Sequence, residues 1–215
     1  MIIVSSQESG VNLRVKETAD ETRERIARTA EELFRRMGFA KTAVADIAAE
    51  LGMSAANVYR FFPSKTAIVA TICARCLTES EAEVAIAVSE GGSPQERILA
   101  AYLAIMRYHK ENFLEERRVH DMVLVAIENN WEAIEAHKAR LCDLTARVLA
   151  EGIAQGVFVA HDPSKVSRHI QSALIRFCHP ILVAQHIGDE DQEGALRESL
   201  RFILRSIEVE RSPLP

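Results

Sequence analysis

The sequence predicts an all-α protein of about nine helices: a small N-terminal three-helix unit, then a larger helical body. Three observations carry this. Apolar residues recur at i, i+3, i+4, i+7 along most of the chain, and no stretch shows the strict alternation of a strand. Ser, Thr or Asp caps and Gly or Pro stops punctuate those periods at nearly every boundary. The stretch Thr42–Lys65 holds two short helices joined by a tight turn, a far narrower pattern than amphipathicity alone.

Residues 1–17 show no sustained period and read as an N-terminal arm. Arg14 and Lys16 have the charge to enter a minor groove, although a frayed, solvated tail is the plainer reading. Thr18 and Glu21 have the spacing of a capping box. The helix they open buries Ile26, Ala27, Ala30, Leu33, Phe34 and Met37 on one face and ends at Gly38. Arg23 and Arg28 lie off that face, within reach of flanking phosphate.

Thr42 is positioned to cap a helix from about Val44 to Leu51, and Gly52 supplies the positive φ that commonly ends one. Ser54 caps the second helix, Ala55 to about Phe61, which Pro63 stops. A helix, a tight Gly-containing turn and a second helix form the helix-turn-helix, whose second helix enters the DNA major groove. Val58, Phe61 and Phe62 anchor that helix, while Ala55, Ala56, Asn57, Tyr59 and Arg60 face outward. Arg can grip guanine O6 and N7, and Asn can pair with adenine N6 and N7, so Asn57 and Arg60 are the candidate base readers. Tyr59 and Lys65 suit sugar and phosphate.

On these residues the chain resembles the TetR family of transcriptional regulators. The resemblance rests on Met37-Gly38-Phe39, Thr42 to Ala48, Gly52-Met53-Ser54, and Tyr59 to Lys65, and covers roughly residues 20–70. It implies a DNA-binding set of Thr42, Ser54, Ala55, Ala56, Asn57, Tyr59, Arg60, Phe61 and Lys65 within a domain spanning 18–66. Residues 67–215 become a ligand-binding and dimerisation domain. Two positions depart from the pattern: Ala45, where a basic or polar residue is common, and Asn57, where a small or hydroxyl residue is common.

A helical pattern from Ser64 to about Val88 links unit and body, and is the element expected to move. Ser93-Pro94 starts the next helix, carrying Ile98, Leu99, Tyr102, Leu103, Ile105 and Met106 to about His109. A further pattern passes through Val119 to Ile127 and breaks at Asn129-Asn130; Trp131 opens another, ended near Gly152 to Gly156. Asp162-Pro163 begins a helix expected to run to about residue 187, kinked at Pro180, and the last helix spans about 195–207. By the resemblance these two dimerise the chain, which would set two reading helices on a pseudo-palindromic operator. The alternative is that the first of them is central to a monomer core.

The resemblance also implies an inducer cavity in the body, with Tyr102, Met106, His120, Trp131 and Phe177 as candidate ligand-binding residues. The expected function is thus a homodimeric repressor released from double-stranded DNA by a small organic effector.

Composition is consistent with this. Of the 26 basic and 31 acidic residues, ten and nine fall in residues 1–66, so the first segment is +1 and the remainder −6. Local basic placement steers a protein to phosphate more than total charge does. Cys73 and Cys76 form a C-x2-C within an apolar helix, without a second pair, and read as packed thiols. His179 and His186 are too far apart along a helix, roughly 10 Å, to share a metal. No cofactor, metal site or catalytic motif is expected. No apolar run approaches membrane-spanning length, and the expected compartment is the cytoplasm. The competing class, a helical enzyme, ligand carrier or interaction protein without DNA-linked function, would need convergent reactive residues or a degraded Tyr59–Lys65 run.

Overall fold

The structure, a computed structural model, describes residues 17–113, 117–186, 188 and 191–209, with the side chains of residues 113 and 117–120 outside the description. The N-terminal arm, Arg14 and Lys16 therefore lie outside the described residues, and so does the His120 side chain.

The described residues form eleven helices and no strand. Helix α1 (Ala19–Met37) opens with the expected capping box: Thr18 Oγ1 accepts from the Glu21 amide, and the Glu21 carboxylate accepts from the Thr18 amide at 2.8 Å. It buries Ile26, Ala27, Ala30, Leu33 and Phe34 in packing against α2 (Val44–Glu50) and α3 (Ala55–Phe61) and against two later helices, Lys65–Ser89 and Arg117–Asn129, described next. Helix α4 (Lys65–Ser89) leaves this unit and enters the body, where α5 (Pro94–Phe113) is its main partner. Then come α6 (Arg117–Asn129) and α7 (Trp131–Ala154), α7 packing mainly on α8 (Pro163–Ala173).

The single helix expected over 163–187 is three pieces: α8, α9 (Ile175–Cys178) and α10 (Pro180–Gln185). Two causes act. Leu174 leaves helical geometry at φ −96°, ψ 13°. His179 is extended at φ −91°, ψ 122°, as a residue before proline prefers. This raises the count from about nine to eleven.

Helix α11 (Gln192–Arg205) starts three residues before the expected Ala195. Its cap is Asp191, at φ 75°, whose carboxylate accepts from the Gly194 amide at 2.7 Å. A Cβ at Gly194 would stand 1.9 Å from that carboxylate, so only glycine permits the contact. After α11, backbone bonds from Val159 to Ile207 and from Val209 to Val157 tie residues 207–209 to the turn after α7.

Two apolar clusters form the core. One gathers α1–α3 with the first half of α4 and also takes in Tyr108, Met122 and Val123 from α5 and α6. The other joins the later half of α4 and most of α5 to α7–α11, around Met106, Leu149, Phe158, Ile170 and Leu200. The boundary expected at residue 66 therefore falls at the start of a helix that packs on both sides of it. Among the described residues, no helix is long and apolar enough to cross a membrane.

Candidate nucleic-acid interface and ligand cavity

The helix-turn-helix is built by local rules. At the start of α2 the Asp46 carboxylate accepts from the Ala43 amide at 2.7 Å, and after α2 Gly52 turns the chain at φ 63°. Ser54 Oγ then accepts from the Asn57 amide at 3.2 Å, satisfying one free N–H at the start of α3. Beneath, Val58 and Phe62 are completely or almost completely buried with Ile47 and Ala48. Opposite them, Ala56, Tyr59 and Arg60 are exposed, Tyr59 by 52%, and Asn57 is half-buried. Ala55 and Phe61 are partly buried against the cluster.

Two residues of the expected DNA-binding set point elsewhere. Thr42 is 1% exposed, and its hydroxyl donates to the Gly38 carbonyl at 2.8 Å. It closes the α1–α2 turn, and the cap of α2 is Ala43. The Lys65 ammonium donates to the carbonyls of Phe39 at 2.6 Å and Thr42 at 2.9 Å, and lies 4.0 Å from the Phe39 ring centre. Burial lowers its pKa from the ordinary lysine value. Folding gives this cation, beside the reading helix in sequence, backbone acceptors from 23 and 26 positions away. Two arginines of α1 are engaged as well: Arg23 donates to the Phe61 carbonyl at 2.7 Å, and Arg28 pairs with Glu24.

The unit is fastened to the body through polar contacts of α1. Arg75 of α4 pairs with Glu24 at 2.9 Å and closely with Glu31. Arg35 holds Glu31 and donates to the Asn112 carbonyl at the end of α5 at 2.7 Å. The Tyr108 hydroxyl donates to Glu79 of α4 at 2.9 Å.

Between α4–α7 and the α8–α10 segment lies a cavity of about 230 Å³. Helix α4 contributes Val69, Ile72, Cys73, Cys76, Leu77 and Ser80; α5 contributes Tyr102, Ile105, Tyr108 and His109. Met122, Val123, Ala126 and Ile127 of α6 and Ile134, Leu141 and Thr145 of α7 complete the apolar wall. Trp131 is also on the lining yet 59% exposed, and Glu135 and Lys138, both partly exposed, pair at 2.8 Å.

Of the expected ligand-binding residues, Tyr102 and Trp131 line this space. Met106 and Phe177 do not. Both are buried in the second apolar cluster, to which the cavity-lining Tyr102 also belongs. The lining histidines His109, His137 and His179 all have lowered pKa values, burial being the first cause in each; His109 falls to about 3. His137 is opposed in this by Glu81, 2.7 Å away. Burial keeps Cys73 and Cys76 as thiols, Cys76 at about 11. Their i, i+3 spacing on α4 signalled one helical face, but nothing in that spacing said the face would border a cavity. Among the described residues no group of three or more His, Cys, Asp or Glu is arranged to hold a metal.

A three-helix unit with an exposed reading helix, joined by a shared helix to a cavity-bearing helical body, defines a helix-turn-helix regulator with an effector domain. Comparison with known proteins makes this specific. Residues 26–72 match the family described as bacterial regulatory proteins, tetR family, and residues 94–197 match the tetracyclin repressor-like C-terminal domain. The chain is similar to the TetR family transcriptional regulator PfmR from Thermus thermophilus, at 30% identity over 87% of this chain and 100% of that one, TM-score 0.59. It also shares its fold with Thermus thermophilus FadR in complex with lauroyl-CoA (24% identity, 90% and 98% covered, TM-score 0.61). A further fold relative is a regulator from Saccharomonospora viridis in complex with choline (21% identity, 89% and 100% covered, TM-score 0.63). No curated protein matches the chain. The chain belongs to the TetR family: it is a DNA-binding transcriptional regulator with a ligand-binding domain, and not an enzyme.

Proposed function

We propose that the protein is a homodimeric repressor that leaves a pseudo-palindromic operator when a small organic molecule fills its cavity. The DNA-binding domain spans about residues 18–66 and the effector and dimerisation domain about 67–215. Asn57 and Arg60 read bases, while Tyr59, Ala55, Ala56 and the α3 N-terminus at Ser54 approach the backbone.

One observation carries the release mechanism. Val69, Ile72, Cys76, Tyr108, Met122 and Val123 belong to the apolar cluster of the reading unit and also line the cavity. A molecule pressing on them presses on the packing that orients α3. The coupling required is modest, about 1–3 kcal/mol. Relatives solved with lauroyl-CoA and with choline support the effector reading. Dimerisation through α8 and α11 is supported by Phe202, 79% exposed on α11, and by the exposed Ile175 just after α8.

The test is selection of bound sequences from random duplex DNA, repeated with Asn57→Ala and Arg60→Ala. A two-fold symmetric site should emerge, and each variant should relax preference at one position per half-site by about 1–3 kcal/mol. Failure to enrich any site at low salt, where phosphate binding is strongest, would end the proposal.

A further inference from the structure

The charge and hydrogen-bonding inventory of the cavity selects a class of effector. Ser80 on α4 is 2% exposed, and its hydroxyl has no hydrogen-bond partner among the described residues. The buried Nδ1 of His179, between α9 and α10, likewise makes no hydrogen bond among them. Both residues line the cavity. An isolated buried polar atom is costly, and these two, on α4 and at the α9–α10 break of a largely apolar cavity, mark where a ligand's polar end can be met.

The charge of the lining narrows the class further. Among the described residues no arginine lines the cavity, and its one lysine, Lys138, is already paired with its one acid, Glu135. The remaining titratable lining groups are uncharged near neutral pH: His109, His137 and His179 by lowered pKa, Cys73, Cys76, Cys178, Tyr102 and Tyr108 by raised pKa. A carboxylate or ammonium inside would surrender hydration without gaining an unspent countercharge. A neutral hydroxyl or carbonyl would lose far less, and would meet the Ser80 O–H and the imidazole nitrogen. Size sets a further bound, because about 230 Å³ lies below the usual range for drug-sized ligands.

We infer that the effector is a small, electrically neutral, mostly apolar molecule with a single hydroxyl or carbonyl end, held by Ser80 and His179. This deepens the effector reading above and rests on it. The helical span between the two anchors gives the bond pair its use. Ser80 is on the helix that reaches the reading unit, and His179 is at the break between α9 and α10, so one polar group bridging them draws α4 toward the α8–α10 segment.

The test uses the full-length protein and a matched eight-carbon series: 1-octanol, 2-octanone, octanoate, octylammonium and octane. Binding is read by calorimetry and by fluorescence of Trp131, the only tryptophan, on the cavity lining. Octanol and octanone should bind at least about thirtyfold more tightly than either charged analogue, as expected for burying an uncompensated charge. They should also exceed octane by about tenfold, roughly the worth of one or two net hydrogen bonds. Ser80→Ala and His179→Phe should each erase most of the advantage over octane while leaving octane binding and the melting transition in place.

Equal or tighter binding of octanoate or octylammonium would overturn the inference. So would an alcohol-over-octane preference that survives both substitutions, or absence of binding by every neutral member. Operator binding is measured on the same samples. DNA retained with no neutral ligand bound rejects this effector class alone, whereas loss of DNA binding in the unliganded protein rejects the regulator reading beneath it.

Discussion

The reading unit and the effector body solve opposite packing problems with the same helical material. In the unit the helix starts are closed by their own neighbours: Thr18 with Glu21, Asp46 with the Ala43 amide, Ser54 with the Asn57 amide. Its centre is filled by Ile26, Phe34, Ile47, Val58 and Phe62. In the body, α8–α10 is broken twice and a cavity of about 230 Å³ separates helices that close packing would bring together. A filled unit holds one geometry for α3; an unfilled body leaves room for a second arrangement of α4. On the proposed function, the reader holds one geometry and the adjustable packing lies at the cavity. Interiors packed to native density do not deform continuously, so adjustment needs such a space.

The largest test of that division is on α11. Phe202→Asp should turn a two-headed operator complex into a single-headed one. Because linked binding contributes about 10²–10⁴ in avidity, operator affinity should fall by about a thousandfold. Sedimentation should report a monomer whose helical signal is unchanged. A Phe202→Asp dimer of normal affinity would remove α11 from the interface.

Next in size is the filled core itself. Phe62→Ala should cost about 3–5 kcal/mol, as truncation of a buried aromatic does, and should abolish operator binding. If the shared packing along α4 is real, the same change should also loosen effector binding, a result that independent units would not give.

Lys65→Met separates a structural cation from a phosphate contact. Loss of its charged hydrogen bonds to the Phe39 and Thr42 carbonyls should reduce stability by about 1.5–2 kcal/mol. The dependence of operator affinity on salt should keep its slope, because no released counterion is lost. A slope reduced by about one would instead mean that Lys65 leaves those carbonyls for a phosphate.

The smallest effect is a pH dependence of the body. His109 is held at about 3 by burial and by His137 and His179, whereas an unfolded histidine titrates near 6.5. Between those values the unfolded chain binds the extra proton, so stability falls as pH drops below about 6.5. His137 and His179, also lowered, act in the same direction. The urea midpoint should therefore correspond to about 1–2 kcal/mol less stability at pH 5 than at pH 7.5. His109→Leu should remove much of that difference.

The reading unit was the more legible region because its determinants are local. Thr18, Gly52, Ser54 and Pro63 each act within about four residues, so spacing alone located α1 to α3 and their turn. The carbonyl contacts of Lys65 were not legible for the complementary reason: its acceptors at Phe39 and Thr42 lie 26 and 23 residues away, beyond any periodicity. In the body, a buried face looks the same in sequence whether it meets another side chain or a space. Tyr102 and Met106 are one helical turn apart on α5; the first lines the cavity, while the second is sealed in the core.

Hydrophobic period and capping chemistry act along the chain, so the all-helical class, the helix-turn-helix and the outward set Asn57, Tyr59 and Arg60 could be read from the residues alone. Packing was needed to settle which cations face carbonyls, where α8–α10 breaks, and which side chains border the cavity. Those outcomes depend on contacts between residues distant in sequence, where backbone acceptors, burial and space are set by the packed whole.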